Sequence, residues 1–529
     1  MQDWSDGYIT EVGYTHSFFR ELSPHLMRFA LLCRSLYPPA LHSGFRMLEL
    51  GCGQGFSLLL SAAANPESTF VGIDLNPIHI AGARRIAAAA GLDNIHFIEG
   101  RFEAMRDETA PSFDIIALHG VWSWVSRENR QVLVDVLRTR LASGGMAYVS
   151  YNTDAGWAAQ RPLRELMMQH VAADTGPMDE RIGRALHFLE GLQAIKAPYF
   201  SQHADMGAWL ERVSKQNRAY LAHEYFNRDW EPQAFAEVSS ALAEARLSYA
   251  GPAWLTDHID AINFPPEPLQ YLQKIANPVL RETTRDLLLG QTFRRDLYVR
   301  GAQTLSLGQQ NALLRALRFT LITRRDAIPL KVTFRAGTLD LAPKLYEPLL
   351  DALADGPKTL GELAVQVGGE ASNVRRLMEA MLLLCGLGHT QPLPEPLAAA
   401  DYERRRRSCE ALNRVLEEQA ITTDLYHAMA SPVLGGGTPV NRLDLLFLHA
   451  RRRQEPDPVA WVWSVLASQG QNLIKDGREL TTPAENQELL RTAMKEFIEK
   501  RLSVLAQLDV AGSKDDSRKL RPESRKTRG

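Results

Sequence analysis

The stretch Glu49-Leu50-Gly51-Cys52-Gly53-Gln54-Gly55 constrains the fold of this 529-residue chain more than any other. It lies between a short apolar run, Arg46 to Leu50, and a helix that begins near Phe56. Glycines in such a strand-to-helix turn let the backbone reverse sharply and approach a ligand with no Cβ in the way. A GxGxxG pattern would put its third glycine at position 56, which is Phe56, so a pyrophosphate is poorly served here.

The surrounding sequence has the rhythm of a parallel sheet with crossover helices. Arg46 to Leu50, Thr69 to Asp74, His96 to Glu99, Phe113 to Leu118 and Met146 to Tyr151 read as five strands. Pro77 to Ala90 reads as a helix opened by a first-turn proline and closed before Gly91. From Ala158 to about Tyr220 the pattern is helical only, and the sheet resumes with strands at Leu247 to Ala250 and Arg294 to Arg300.

Asp74 closes the second strand, 25 positions after Glu49. A carboxylate there can accept hydrogen bonds from both hydroxyls of a ribose. GxGxG behind an acid, with no phosphate-binding glycine, suits a nucleoside carrying an amino-acid tail, and S-adenosylmethionine is such a ligand. The predicted cofactor contacts are Glu49, Gly51, Gly53, Gly55, Asp74, Leu75, Phe102 and His119.

Glu49 to Gly55 with Val71-Gly72-Ile73-Asp74 resembles the class I S-adenosylmethionine-dependent methyltransferases. Leu118 to Val125, Tyr148 to Thr153 and Gly156-Trp157 are similar to methyltransferases with a regulatory domain, a family that includes rickettsial protein lysine methyltransferases acting on outer membrane proteins. Tyr14-Thr15, Tyr220 to Tyr225 and Phe293 to Leu297 extend the likeness through roughly the first 300 residues. The resemblance implies a Rossmann-like core and a methyl-transfer reaction. It also implies an acid after the third strand for the adenine amino group. Arg101 stands near that place and cannot accept a hydrogen bond, so backbone groups and Phe102 are the expected adenine contacts.

In-line methyl transfer needs alignment more than acid–base power. Open α/β sheets bind ligands outside the carboxyl ends of their strands, which is where His119, Trp122, Trp124, Tyr151 and Asn152 converge. Trp122 and Tyr151 are expected to line an acceptor channel, while His119 or Asn152 orients or deprotonates the acceptor. Trp124 is expected in the core, and His119 fits a structural histidine as well as a site group.

The remaining features mostly exclude. Lys plus Arg number 60 against 62 Asp plus Glu, a net charge of -2, so no overall field favours nucleic acid or an anionic membrane. Cys33, Cys52, Cys385 and Cys409 form no CxxC pair, which speaks against a disulfide framework and for the cytoplasm. Met1 to Asp6 lack a signal-peptide start, and no apolar run approaches bilayer length. His223-Glu224 is followed by Asn227 where a HExxH zinc site needs histidine, so no metal is expected.

The expected architecture is a methyltransferase core over residues 1–157, a helical insertion over 158–220, and the rest of the core with a regulatory region over 221–303. A strand-containing linker with a winged-helix-like unit follows at 304–395, with Thr359 and Ser372 as N-caps, then a mainly helical domain at 396–512 and a disordered basic tail at 513–529. Arg404 to Arg407 read as a solvated helix face, and the winged-helix-like unit as a protein-interaction module. Over 200 accessory residues favour a protein acceptor, with lysine N-methylation as the leading reading and the insertion as a possible dimer interface. A small-molecule O- or N-methyltransferase and a non-catalytic cofactor-binding regulator are the alternatives.

Overall fold

The computed structural model describes residues 7–8, 16–41, 44–368 and 373–511. Met1 to Asp6, Tyr14-Thr15, the predicted cap Ser372 and the basic tail 513–529 lie outside the described residues. A seven-stranded sheet organises the first part of the chain. Its strands are β1 (Arg46–Leu50), β2 (Thr69–Asp74), β3 (Ile95–Glu99), β4 (Phe113–Leu118), β5 (Leu141–Asn152), β6 (Leu247–Pro252) and β7 (Phe293–Arg300). The order is β3-β2-β1-β4-β5-β7-β6, with β1 to β5 parallel and β7 antiparallel to both β5 and β6. The order reverses between β1 and β4, so the crevice for a ligand opens above the carboxyl ends of those two strands.

Alternation along the strands divides the core between the two faces of the sheet. Met47, Phe70, Ile115, Ala117, Tyr148 and Leu297 pack on one face with the helices Pro24–Cys33 (α1), Phe56–Ala63 (α2) and Pro77–Ala89 (α3). Leu48, Ile73, Ile116, Leu118, Val149 and Tyr151 pack on the other with Arg127–Arg140 (α4) and a second helix, Phe235–Glu244. The helices between β5 and β6 bury their own cluster, in which Trp157, Met167, Ile182, Trp209, Leu221 and Tyr225 meet. They form a cap above the crevice. The cap runs on through Arg218–Tyr225, so the boundary expected at Tyr220 falls inside a helix that Asn217 caps through Ala219 N and Tyr220 N.

The second half of the chain shares the α1/α2 core and does not form a separate one. A single apolar cluster runs from Leu22 through Leu349, Leu383 and Leu445 to Val510. The winged-helix-like unit has three helices, Pro343–Ala354, Leu360–Val367 and Val374–Gly386, and a three-stranded sheet. Only Thr390–Pro392 follows the third helix; the central strand, Arg318–Leu321, comes from ahead of the unit. Arg20 ties this unit to the first half by donating to the carbonyls of Cys385 and Thr390 at 2.6 and 3.0 Å. The helix Ala399–Gln419 and the hairpin Ala428–Ser431/Gly436–Pro439 lie against α2. Arg405, expected on a solvated face, is buried and paired with Glu67 at 2.9 Å, so that one arginine of the four docks the helix.

Candidate functional site

The glycine turn is built from left-handed backbone. Gly51, Gly53 and Gly55 have φ of 71°, 52° and 63°. A Cβ on Gly51 would stand 2.5 Å from Val121, and one on Gly55 would stand 2.3 Å from the Phe97 ring. Asp74 secures the turn from β2. One of its carboxylate oxygens accepts from Gly53 N at 2.8 Å, and the other accepts from Asn76 N at 2.9 Å and lies 3.2 Å from His79 Nδ1. The same residue thus shapes the loop and still faces the crevice, where its side chain remains partly exposed.

Over this turn lies a cavity of about 490 Å³, within the range of small-molecule sites. Its floor is Glu49, Gly51, Gly53, Gly55 and Asp74; its walls include His119, Trp124 and Asn152; its roof comes from the cap. A second lobe of about 100 Å³, sharing Gly51, Asp74 and Trp124, is lined by Leu75, Arg101, Phe102 and Glu103. Every predicted cofactor contact therefore faces one or other lobe. Glu103 was missed from sequence. It supplies an acid two residues beyond Arg101, inside the turn Phe102–Met105 that no strand pattern foretells.

The chemistry of these groups fits a nucleoside with a cationic amino-acid tail. Burial, with Asp74 beside it, pushes the Glu49 carboxyl up to about 8, so at neutral pH it is a mostly neutral acid that a neighbouring cation would ionise. Trp124 Nε1 and Asn152 Nδ2 are buried donors with no hydrogen-bond partner among the described residues, and both side chains line the cavity. Such donors are costly unless something accepts from them. When bound, S-adenosylmethionine supplies an electrophilic methyl group on sulfur; the chain's contribution is to hold and orient it.

The predicted acceptor channel is partly corrected. Tyr151 points to the opposite face of the sheet, fully buried, and donates to Asp296 at 2.8 Å. Trp122 is 1% exposed, belongs to that same face and donates Nε1–H to Gln233 at 2.6 Å. Neither lines either lobe. Trp124, two residues on, is buried in the cap cluster as expected and also lines both lobes. Asn152 and His119 do line the cavity. Burial near Arg295 lowers the His119 pKa to about 3, so the ring is neutral; it packs at a tilt against Phe19 with centroids 3.7 Å apart and its Nδ1 lies 2.8 Å from the Tyr148 hydroxyl. A ring in this state carries no proton to donate as an imidazolium at neutral pH.

The cap residues that roof the cavity were not anticipated as site residues, although Trp157 and the Tyr220 to Tyr225 stretch carry part of the family resemblance. They are Trp157, Trp209, Arg212, Tyr220, Glu224 and Tyr225. Among the described residues no group of His, Cys, Asp and Glu is arranged to hold a metal ion, and no helix is long and apolar enough to cross a membrane.

Comparison with known proteins agrees with this geometry. Residues 41–179 match the family described as "Methyltransferase domain", and residues 217–300 match "Predicted methyltransferase regulatory domain". The chain is 39% identical to the uncharacterized protein sll1526 of Synechocystis over 96% of its length and 100% of that protein. It is 31% identical to RP789 of Rickettsia prowazekii over 48% of this chain and 45% of that one. Among solved structures it is similar to PKMT2 from Rickettsia typhi in complex with AdoHcy, with TM-score 0.66, 20% identity, 92% of this chain and 98% of that chain covered.

Proposed function

The chain belongs to the S-adenosylmethionine-dependent methyltransferases that carry a methyltransferase regulatory domain, and from that premise we propose that its acceptor is a lysine side chain of a protein. One observation carries this reading. The cavity has a cofactor floor and a roof in which Trp157, Trp209, Tyr220 and Tyr225 surround the Glu224 carboxylate, with Arg212 at the exposed rim, a lining that attracts a cationic chain end and serves an alcohol or a catechol poorly. The acceptor amine must be neutral when it attacks, since an ammonium has no lone pair.

Three features support the reading. The resemblance to rickettsial protein lysine methyltransferases runs through the residues that form the site. The overall fold follows PKMT2 across nearly the whole chain. The accessory half, welded to the core, is far larger than a small acceptor requires. Glu49, Gly51, Gly53, Gly55, Asp74, Leu75, Phe102 and Glu103 would hold the cofactor, with His119, Trp124 and Asn152 at the reacting end. The cytoplasm is the proposed compartment, since all four cysteines are free thiols.

The test is incubation of the purified enzyme with a cell lysate and isotopically labelled cofactor, followed by mass spectrometry of proteins and metabolites. Label on lysine Nζ atoms, absent with Asp74→Ala, is the expected result. Label confined to the small-molecule fraction overturns the lysine reading and leaves a metabolite methyltransferase.

A further inference from the structure

Glu224 is set apart from the other acids of the chain by its surroundings. It lies in the last turn of the helix Arg218–Tyr225, one turn beyond Tyr220, so the two side chains share a face. That face looks into the cavity, while Leu221 and Ala222 bury into the cap core. Tyr225 packs between Trp157 and Trp209 in tilted contacts, with centroids 5.5 and 6.1 Å away, and all three rings line the cavity. A carboxylate is thus presented to a cavity walled by indoles and phenols.

Among the described residues the Glu224 side chain makes no hydrogen bond and no ion pair. Of the other acids facing the cavity, Asp74 is bonded to the glycine turn, and Glu49 lies beneath that turn at the cofactor end, away from the aromatic roof. The nearby cations are also placed elsewhere. Arg295 pairs with Glu21 at 2.8 Å and stacks on Trp254 and Phe293. Arg212, at the exposed rim, acts on Tyr225 and does not draw the Glu224 pKa down; burial alone raises it to about 7. A half-buried acid with no internal partner, in an aromatic box opposite the methyl-transfer floor, is an arrangement that lacks its cation.

We propose that Glu224, with Tyr220, Tyr225, Trp157 and Trp209, forms the subsite for the acceptor amine, in which the carboxylate pairs with the lysine ammonium and takes its proton. This deepens the lysine reading and rests on it. The aromatic walls attract the ammonium and keep water away from it, while the carboxylate selects a cation over a neutral alcohol of the same shape. One proton passes from nitrogen to the Glu224 carboxylate, and the freed lone pair forms the N–C bond. The electrons of the breaking C–S bond return to sulfur, leaving a thioether and a methylated ammonium, and the carboxylic acid then loses its proton to solvent. The first helix of the regulatory domain is thereby part of the active site and not only a regulator.

The test uses the full chain saturated with S-adenosylhomocysteine, read by tryptophan fluorescence, with n-butylammonium as probe and 1-butanol as its neutral counterpart. Glu224→Gln should raise the Kd for butylammonium at least tenfold, leave that for butanol within twofold, and leave S-adenosylhomocysteine affinity unchanged. In turnover on lysate protein, kcat/KM should fall at least a hundredfold. Equal loss for both probes, or loss of S-adenosylhomocysteine binding, would mean that the residue acts through the fold, and the proposal fails. Retained kcat/KM on lysine with Glu224→Gln overturns the subsite but not the lysine reading. Wild-type enzyme that methylates no lysine while still binding butylammonium through Glu224 overturns the lysine reading but not the amine subsite.

Discussion

Glu49 carries the sharpest pH dependence in the site. Its carboxyl is buried next to Asp74, and its pKa stands at about 8 against an ordinary 4.5. A raised acid favours the protonated folded state, so its contribution to stability is present below about 4.5 and is lost as pH rises through 8. A ligand with a cationic sulfonium and ammonium reverses the balance, because it stabilises the charged form and drives the proton off. Cofactor binding at pH 7 should therefore release about one proton, and the Kd should fall as pH rises from about 6 toward 8, by at most about tenfold per unit, then level off. Calorimetry in two buffers of different ionisation enthalpy measures the proton count. Glu49→Gln should bind more weakly with a flat profile; a profile that keeps its slope in this variant would assign the proton to another group.

The glycine turn acts as an element, since no one of its residues has chemistry of its own. Gly55 ends it at the first turn of α2 in a left-handed conformation, and a methyl group there meets the buried ring of Phe97 on β3. Gly55→Ala carries both backbone strain and overpacking, together about 2–4 kcal/mol. The cheapest relief is to swing the turn away from Asp74, so cofactor affinity should fall at least a hundredfold while the circular dichroism of the fold persists; unchanged affinity in this variant would show that the turn does not cradle the ligand. This element was legible in the sequence because strand, glycines, helix and terminal acid are contiguous, and β1, β2 and β4 begin and end where the apolar runs do. The acceptor side was not legible in the same way. Trp122 and Trp124 sit in one 3-10 turn, and what turns Trp122 inward is Gln233, more than a hundred residues later. Tyr151 and Asn152 are adjacent in β5, so they face opposite sides of the sheet, and the bond to Asp296 marks the side that Tyr151 takes, away from the cavity. Glu224 and Trp209 reach the site through the folding of the cap, which no local spacing encodes.

Across the whole molecule, the expectation of separable domains meets a continuous core. The hairpin glycine Gly437 lies so close to α2 that a Cβ would stand 2.9 Å from Leu60 and 2.6 Å from Phe18. Asn65, just after α2, donates to Gly435 at 3.0 Å, and Arg405 reaches Glu67 from the helix beyond the winged-helix-like unit. The helix that follows the glycine turn is therefore held from behind by residues some 340 to 370 positions away. If the two halves were independent, calorimetry would show two unfolding transitions and the cofactor would raise only one of them. The shared core predicts a single transition that the cofactor raises as a whole. Arg405→Ala breaks a pair between a buried arginine and a mostly buried glutamate, and about 2 kcal/mol should be lost from that one transition. Because the loss falls on the segment just after α2, which anchors that helix, cofactor affinity should weaken as well, although Arg405 touches no residue of the site. Arg405→Met combined with Glu67→Leu, which leaves no charge unpaired, should restore most of both. A low-temperature transition that appears on its own in Arg405→Ala, with cofactor affinity intact, would instead show that the second half is a separate domain that merely rests on the first.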